Sequence, residues 1–322
     1  DSSIGSLAGG GTTGGAVVLG SGRTLTTGAL NTDTSHAGGI SGAGGITKVG
    51  SGIQSLSGNN SYSGGTTING GTLVARSNSA LGTGAVTLGE TAADAALYLG
   101  DRADVGNAVN VSATGTGQVT LGADNSGSGS NAATFAGVLT LNRPTTLSGE
   151  VAADRLAIDG RITGNVGTLT VTGGSRTTFR STANDFNGNL VISGAGTILQ
   201  AGVATAPEVI PDTASVTVDS GAILQFASTG SGTETIDALN GDGTVRTFVG
   251  GSFAATIAVG SNGGSGDFGG TLEDGTAPLS VTKLGDGTQT LSGSSTYTGS
   301  TLVSAGTLFV NGALGDTAMT IE

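Results

Sequence analysis

The sequence predicts an all-β protein folded as a parallel β-helix, a solenoid in which short strands stack coil upon coil. Three observations support this prediction. Glycine accounts for 63 of the 322 residues while proline accounts for only 4. Short alternating runs of β-branched and apolar residues recur along the chain and end at turn residues. Finally, one long segment occurs twice, once in each half of the chain.

The composition excludes several classes of protein. The net charge is -12, from 23 acidic and 11 basic residues, and this disfavours nucleic-acid binding, which needs clustered Lys or Arg. A mean hydropathy of +0.16 argues against disorder. The glycines follow no strict every-third-position period, which excludes collagen. No apolar run approaches the length that a membrane-spanning helix needs, so the sequence predicts no direct membrane insertion. We also expect that a secretion signal is absent or already removed.

The strand prediction rests on period-two alternation. Runs of this kind are separated by about 8 to 14 residues, which is typical of all-β proteins. They lie at 85–88, 96–99, 108–111, 118–121, 138–141, 168–171, 190–192, 215–218 and 222–226. Asn-Gly and Asp-Gly pairs between the runs supply the positive φ angles that tight corners need.

The internal repeat favours a solenoid over other β folds. Thr47–Leu73 aligns without gaps with Thr282–Leu308, and 14 of 27 positions are identical. We call these segments the first repeat and the second repeat. A unit of this kind cannot bury its own apolar face, but a stack of units buries a continuous narrow core. We expect coils of about 20 to 25 residues.

Twelve repeat positions stand out as candidates for a shared structural role. They are Lys48, Gly50, Leu56, Tyr62, Gly64 and Gly71 in the first repeat, and Lys283, Gly285, Leu291, Tyr297, Gly299 and Gly306 in the second. The two lysines are the only lysines of the chain. We expect them to donate to turn carbonyls or to cover apolar surface with their stems. The tyrosines are expected to fill a coil corner, with a carbohydrate platform as the alternative.

The organisation along the chain follows from the repeats. We predict one continuous solenoid with a module at 1–88, plainer coils at 89–168, a diverged module at 169–235 and a truncated full module at 236–322. In the diverged module, Phe186 and Gly188 replace the Tyr62 and Gly64 pair.

The repeated pattern resembles the passenger-associated transport repeat of autotransporters, the type V secreted proteins of Gram-negative bacteria. The resemblance is carried by T-K-x-G-x-G-x-x-x-L-S-G-x-x-x-Y-x-G at Thr47 and Thr282, followed by A-L-G at Ala80 and Ala313. It implies a right-handed parallel β-helix, secretion through the outer membrane and display on the cell surface. Such proteins carry a C-terminal membrane barrel, so we expect this chain to be a fragment of a longer passenger.

Candidate chemistry is sparse, and we expect no enzyme, no cofactor and no metal site. The single histidine, His36, aligns with Asp267 and is expected to decorate an exposed turn. The Gly9-x-Gly11-x-x-Gly14 spacing matches a dinucleotide fingerprint by letters only. The sequence GGSGDFGG at Gly263 resembles a calcium-binding nonapeptide, but a turn is the better interpretation.

Two acidic groups leave an enzyme open as an alternative, because glycoside cleavage needs two carboxylates at a defined separation. One group is formed by Asp94, Asp101 and Asp104, and the other by Glu150, Asp154 and Asp159. Solvated turn residues are the simpler interpretation of both groups.

The leading functional hypothesis is a structural and adhesive surface segment. Its expected partners are proteins or glycans on host or neighbouring cells, with self-association as one version. The first alternative is a stalk that assists passenger folding and secretion without binding. The second is a β-helical polysaccharide lyase or hydrolase.

Overall fold

The computed structural model describes residues 1–11, 15–100, 102–124, 132–149, 155–202, 208–226 and 232–322. These residues contain strands, turns and bends and no helix. The strands are parallel and stack as a β-solenoid of about 12 turns, which confirms the predicted fold class. The chain divides into two compact units, unit 1 (residues 1–164) and unit 2 (residues 165–322).

Unit 1 is built from nineteen short strands in its described part. They are β1 (Ser2–Ile4), β2 (Val17–Leu19), β3 (Thr24–Thr27), β4 (Thr34–His36), β5 (Ile40–Gly42), β6 (Gly45–Lys48), β7 (Ile53–Leu56), β8 (Thr66–Ile68), β9 (Gly71–Ala75), β10 (Val86–Leu88), β11 (Ala95–Gly100), β12 (Asp104–Val105), β13 (Val109–Val111), β14 (Val119–Asp124), β15 (Ala132–Phe135), β16 (Leu139–Leu141), β17 (Thr145–Gly149), β18 (Arg155–Ile158) and β19 (Ile162–Thr163).

These strands form three parallel sheets and one separate pair. Sheet 1 runs β1-β3-β6-β8-β10-β13-β16-β19. Sheet 2 runs β4-β7-β9-β11-β14-β17 within this unit, and sheet 3 runs β12-β15-β18. The strands β2 and β5 form the pair. Successive coils therefore place their strands side by side in the same order.

Coil length in unit 1 departs from the expected range at one place. Thr66 pairs with Ile46 in the preceding coil and with Val86 in the following coil, so these two coils have equal length. Leu139, in contrast, pairs with Val109, and the coil between them is half as long again. This coil contains residues 125–131, which lie outside the described part. The coil length expected from the sequence therefore holds for the repeat-bearing coils but not for this one.

Unit 2 contains seventeen strands in its described part. They are β20 (Asn165–Thr172), β21 (Arg176–Phe179), β22 (Asn187–Ile192), β23 (Ile198–Ala201), β24 (Ser215–Val218), β25 (Ile223–Phe226), β26 (Gly232–Ile236), β27 (Ala238–Asn240), β28 (Thr244–Thr247), β29 (Ala255–Val259), β30 (Gly266–Phe268), β31 (Thr271–Glu273), β32 (Leu279–Lys283), β33 (Thr288–Leu291), β34 (Thr301–Val303), β35 (Thr307–Val310) and β36 (Met319–Ile321).

Four parallel sheets organise unit 2. Sheet 4 runs β20-β22-β24-β27 and sheet 5 runs β21-β23-β25-β28-β31 within this unit. Sheet 6 runs β26-β29-β32-β34-β36, and sheet 7 runs β30-β33-β35. The second repeat lies in sheets 6 and 7.

The core consists of apolar rows that run across the strands, because every second residue of a strand faces inward. One inward row of sheet 1 contains Leu25, Ile46, Thr66, Val86, Val109, Leu139 and Ile162. One inward row of sheet 2 contains Gln54, Leu73, Leu97, Leu121 and Leu147. All of these side chains are buried. Medium-sized aliphatic residues thus fill an interior too narrow for many aromatic rings.

The two aromatic positions that the sequence equates, Phe186 and Tyr297, lie beside different sheets. Phe186 is buried, as a core residue should be, and precedes β22 in sheet 4. Tyr297 precedes β34, which lies in sheet 6. The two aromatic residues therefore occupy corners of different sheets within unit 2.

Candidate functional site

Lys48 lies inside the solenoid, at the end of β6. Its neighbours in the inward row are Thr27 and Ile68. The Nζ atom donates to three backbone carbonyls, at 2.8 Å to Val49, 3.0 Å to Gly50 and 3.0 Å to Gly70. Burial lowers the pKa of Lys48, and the nearby carboxylate of Asp33 opposes that shift. The ammonium group thus joins its own turn to the turn of the following coil.

Lys283 repeats this arrangement in unit 2. It lies between Val259 and Val303 in an inward row, and no part of it is exposed. Its Nζ atom donates to the carbonyls of Leu284, of Gly285 at 2.9 Å and of Ala305 at 3.4 Å. Burial lowers the pKa of Lys283 as well. Each repeat therefore carries a buried lysine that we call the lysine clip.

The glycines next to the lysine clips are required by backbone conformation. Gly50 and Gly285 have φ angles of 71° and 58°, and Gly71 and Gly306 have 65° and 68°. A side chain at Gly71 would also meet the carbonyl oxygen of Gly50 in the preceding coil. The structure therefore brings Lys48, Gly50 and Gly71 together at one corner, and the second repeat does the same with Lys283, Gly285 and Gly306.

Gly64 and Gly299 serve close packing between coils. Each donates its N–H to a carbonyl of the preceding coil at 3.0 Å, Gly64 to Gly44 and Gly299 to Leu279. A Cβ at Gly64 would lie 2.5 Å from the carbonyl carbon of Gly44, which is too close for any real side chain. The adjacent backbones can therefore approach each other only because neither position carries a side chain.

Tyr62 and Tyr297 fill the interior and are fully buried. The hydroxyl of Tyr62 hydrogen-bonds the Thr66 hydroxyl at 2.6 Å, and that of Tyr297 hydrogen-bonds the Thr301 hydroxyl at 2.6 Å. Burial raises the pKa of Tyr62 to about 12. A buried ring cannot stack on a sugar, so the carbohydrate platform at these two positions is excluded. Leu56 and Leu291 are buried in the same way.

A third shared polar group, Gln54 with Gln289, was missed by the sequence analysis. Gln54 Nε2 donates to the carbonyl of Leu7 at 3.0 Å, and Gln289 Nε2 donates to that of Leu239 at 2.8 Å. Both side chains are buried. The available signal was an identical polar residue at an inward strand position in both repeats.

His36 contradicts the expectation of an exposed turn. It is buried at the end of β4, where it pairs with Leu56 of β7. Phe268 pairs in the same way with Leu291. The structural counterpart of His36 is therefore Phe268 and not Asp267. Burial lowers the pKa of His36 more than the backbone of Ala8 raises it, so the imidazole is a core group without access to substrate.

Glu234 is a buried acid that the sequence analysis also overlooked. It lies in β26 and is fully buried. Its carboxyl group accepts hydrogen bonds from the backbone N–H of Ile210 at 2.8 Å and of Val209 at 3.2 Å. Burial raises the pKa of Glu234 well above its usual value, and the nearby Glu208 and Asp212 act in the same direction.

The acidic groups proposed for glycoside cleavage do not converge where the structure describes them. Asp94 directly precedes β11 of sheet 2, whereas Asp104 begins β12 of sheet 3. The two acids therefore belong to different sheets. The Asp94 carboxylate also accepts the backbone N–H of Gln118 at 2.7 Å. Asp159 follows β18, and Asp101, Glu150 and Asp154 lie outside the described residues.

The aspartate of the calcium-like motif lies in a strand and not in the expected turn. Asp267 lies in β30, and its N–H donates to Asn240 Oδ1 at 3.1 Å. The described part of the chain contains no cluster of three or more His, Cys, Asp or Glu that could hold a metal ion. Nor does it contain a helix that is long and apolar enough to cross a membrane. Gly14, the last glycine of the dinucleotide-like spacing, is not among the described residues.

The outer face of sheet 1 carries a regular line of hydroxyl and amide groups. Cross-strand pairing aligns Ser3, Thr26, Thr47, Thr67, Thr87, Asn110, Thr140 and Thr163 on eight successive strands. We call this set the threonine row. At an inter-strand spacing of about 4.8 Å, the row extends for roughly 34 Å. Seven of its members are half-buried and Ser3 is exposed, so the row faces solvent.

Comparison with known protein families identifies the first and second repeats. A family model described as Passenger-associated-transport-repeat matches residues 46–75 and 281–310. The chain carries two passenger-associated transport repeats. These ranges contain the lysine clips, the buried glutamines and the buried tyrosines described above. The diverged module at 169–235 lies outside them.

The passenger repeats confirm the resemblance to autotransporter passengers. Together with the β-solenoid, they support a passenger domain and indicate a secreted or surface location. Among curated proteins and solved structures, no significant match to this chain was found.

Proposed function

We propose that this chain is a surface-displayed passenger segment that acts as a structural and adhesive β-helix on the outer membrane of a Gram-negative bacterium. Its partners are proteins or glycans on host or neighbouring cells, and self-association between displayed copies is one form of the same activity. It works without a cofactor and without catalysis. It contacts neither nucleic acid nor the membrane interior.

The threonine row is the observation that carries this proposal. Each hydroxyl both donates and accepts hydrogen bonds, so a row of them can contact proteins and sugars alike. β-branched threonine also has a restricted side-chain torsion, so little freedom is lost when it becomes fixed in a contact. The row occupies a sheet face whose backbone groups are already paired within the sheet, and binding there leaves the fold unchanged.

Adhesion by such a surface depends on many weak contacts. A single exposed hydrogen bond contributes little, because water competes for the same groups. Many displayed copies that engage one cell convert later contacts into intramolecular events and raise the total strength by orders of magnitude. The proposal therefore predicts weak binding in solution and strong binding between cells.

The test displays this chain on non-adherent bacteria through a surface barrel and measures cell aggregation and attachment to host cells. The empty barrel is the negative control. A variant with Thr47→Asp, Thr67→Asp and Thr87→Asp charges the row, and a variant with Thr282→Asp and Thr320→Asp places charges on the outer face of sheet 6. We expect adhesion to fall only in the first variant. Adhesion no stronger than with the empty barrel contradicts the proposal.

A second function is favoured by the lysine clip. Because each clip bonds the turn of the following coil, it stabilises that coil as it stacks, and this would help a passenger to fold during export. Deleting residues 281–310 and measuring the surface yield tests this stalk function. A lower yield with unchanged adhesion per displayed molecule supports the stalk. An unchanged yield counts against it.

A further inference from the structure

A groove crosses the outer face of sheet 2 in unit 1. Its volume is about 390 Å³, and it is lined by side chains from β4, β7, β9, β11 and β14. Five adjacent strands give it a length of roughly 19 Å. This volume lies within the usual range for small-ligand sites.

Tyr98 forms the floor of the groove. It is the one tyrosine of the chain that is not fully buried, since Tyr62 and Tyr297 lie in the core. Tyr98 pairs with Gly122 on the next strand, and a Cβ at position 122 would lie 2.7 Å from Tyr98 Cδ1. The ring therefore lies across the glycine and follows the sheet surface. The ring is part of the groove lining.

Arg76 and Asp124 form the charged wall of the groove. Arg76 Nη2 lies 2.6 Å from Asp124 Oδ2, and the two side chains are 25% and 12% exposed. The arginine reaches the aspartate across Gly100, where a Cβ would lie 2.8 Å from Nη1. Gly122 thus lies beneath Tyr98, and Gly100 lies beneath Arg76.

Small hydroxyl residues complete the lining. Ser35 and Ser55 pair across β4 and β7 in the row that leads to Tyr98, and Thr72 lies on β9. Asp33 stands at the rim, where its carboxylate also accepts the N–H of Ile53 at 2.8 Å. The lining therefore combines an aromatic face, hydroxyl groups and one ion pair.

This combination selects among ligand chemistries. The strands β7, β9, β11 and β14 are paired on both sides, and the edge strand β4 is bridged by Gly9 at His36, so the groove offers a peptide no free strand edge to extend. The charge of Arg76 is balanced by Asp124, and Asp33 adds a negative charge, so an anionic ligand is disfavoured. A neutral sugar presents C–H groups that pack on an aromatic face, and hydroxyls that exchange hydrogen bonds with serine, threonine and charged side chains.

We propose that this groove binds a neutral oligosaccharide, with Tyr98 as the stacking platform and with Arg76, Asp124 and the serine and threonine hydroxyls as hydrogen-bonding partners. The inference deepens the proposed adhesive function, on which it rests, because it names one ligand class and one site.

Calorimetric titration of the full chain tests the proposal. The neutral probes are cellohexaose, maltohexaose and N-acetylchitohexaose, and hexagalacturonate is the anionic probe. We expect millimolar or tighter binding of at least one neutral probe and a loss of about tenfold or more in Tyr98→Ala. Phe253→Ala removes an exposed aromatic ring that does not line the groove, and we expect unchanged affinity. Circular dichroism verifies that both variants are folded.

Three results would overturn the assignment. They are the absence of neutral-probe binding, binding of hexagalacturonate alone, and equal affinities in the wild type and Tyr98→Ala. The outcome can be separated from that of the adhesion assay. If the wild-type chain mediates cell adhesion but binds none of the neutral probes, the groove assignment fails and the adhesive function stands. Sugar binding without any cell adhesion removes the adhesive function only.

Discussion

The two passenger repeats keep the same buried polar contacts although their surroundings differ. In the first repeat β9 is covered on both sides, by β7 and β11, and Val74 is 3% exposed. In the second repeat the equivalent strand is β35, and among the described residues it pairs with β33 on one side only. Phe309, which stands at the position of Val74, is 53% exposed. The lysine, glutamine and tyrosine contacts are nevertheless present in both. The comparison teaches that these contacts are properties of the repeat sequence itself.

The largest expected effect comes from removing a lysine clip. Lys48→Met leaves three turn carbonyls without their donor, and we expect a loss of about 2 to 3 kcal/mol in the stability of unit 1. Lys283→Met should cost less, because its contact with the following coil is already long at 3.4 Å. Hydrogen exchange of the peptides that cover each repeat measures the two effects separately.

The matched control for charge removal is Arg23→Met, because Arg23 is exposed. We expect a change of less than about 0.5 kcal/mol for this variant. Equal protection of the first repeat in Lys48→Met and in the wild type would show that the clip is not a stabilising contact.

A smaller effect is expected at the tyrosines, and it should differ between the repeats. Tyr62→Phe removes the hydrogen bond to Thr66 and should cost about 1 kcal/mol. Tyr297→Phe should cost less, because Thr301 has a second partner in the Thr317 hydroxyl at 2.9 Å. Chemical denaturation of the two variants, monitored by hydrogen exchange in each unit, measures the two losses of stability. A larger loss in Tyr297→Phe would refute this account of the threonine contacts.

The smallest effect is a pH response of opposite sign in the two units. The pKa of His36 is lowered by burial, so unit 1 should lose stability as the pH falls below about 6.5 and the unfolded chain gains the proton. The pKa of Glu234 is raised, so unit 2 should lose stability as the pH rises above about 4.5, because the unfolded chain releases the proton there while the buried carboxyl group keeps it.

Exchange protection measured between pH 4 and pH 8, and corrected for the intrinsic exchange rate, tests both signs. His36→Phe, which places in unit 1 the residue found at the equivalent position 268, should flatten the response of unit 1. Glu234→Gln should flatten that of unit 2. A parallel pH response in both units would contradict the assignment of these two groups.

The solenoid was predictable because its signals are local and repeated. Gly50, Gly71 and their counterparts marked the corners, and the alternating runs marked the strands. The position of His36 was not predictable by matching letters in a loop. A shift of a single position within a strand moves a side chain from the outer face to the inner face. This shift separates the expected counterpart, Asp267, from the observed one, Phe268.

The groove proposed to bind a sugar could not be predicted for a different reason. Arg76 and Asp124 are 48 residues apart in sequence, and two coils must stack before they meet. No spacing rule within one coil contains this information. Gly100 and Gly122, in a chain with 63 glycines, gave no sign that they support the side chains of neighbouring coils.

The lysine clip has a consequence for the assembly of the coils. Two of the acceptors of Lys48 belong to the turn that follows it directly, and the third, Gly70, arrives only with the next coil. If the coils form in chain order, a new rung ends in a cation with one bond still to offer, and the next coil supplies the missing oxygen through Gly70. If they form in the reverse order, the carbonyl of Gly70 waits for the lysine, so in both cases the clip joins two consecutive rungs.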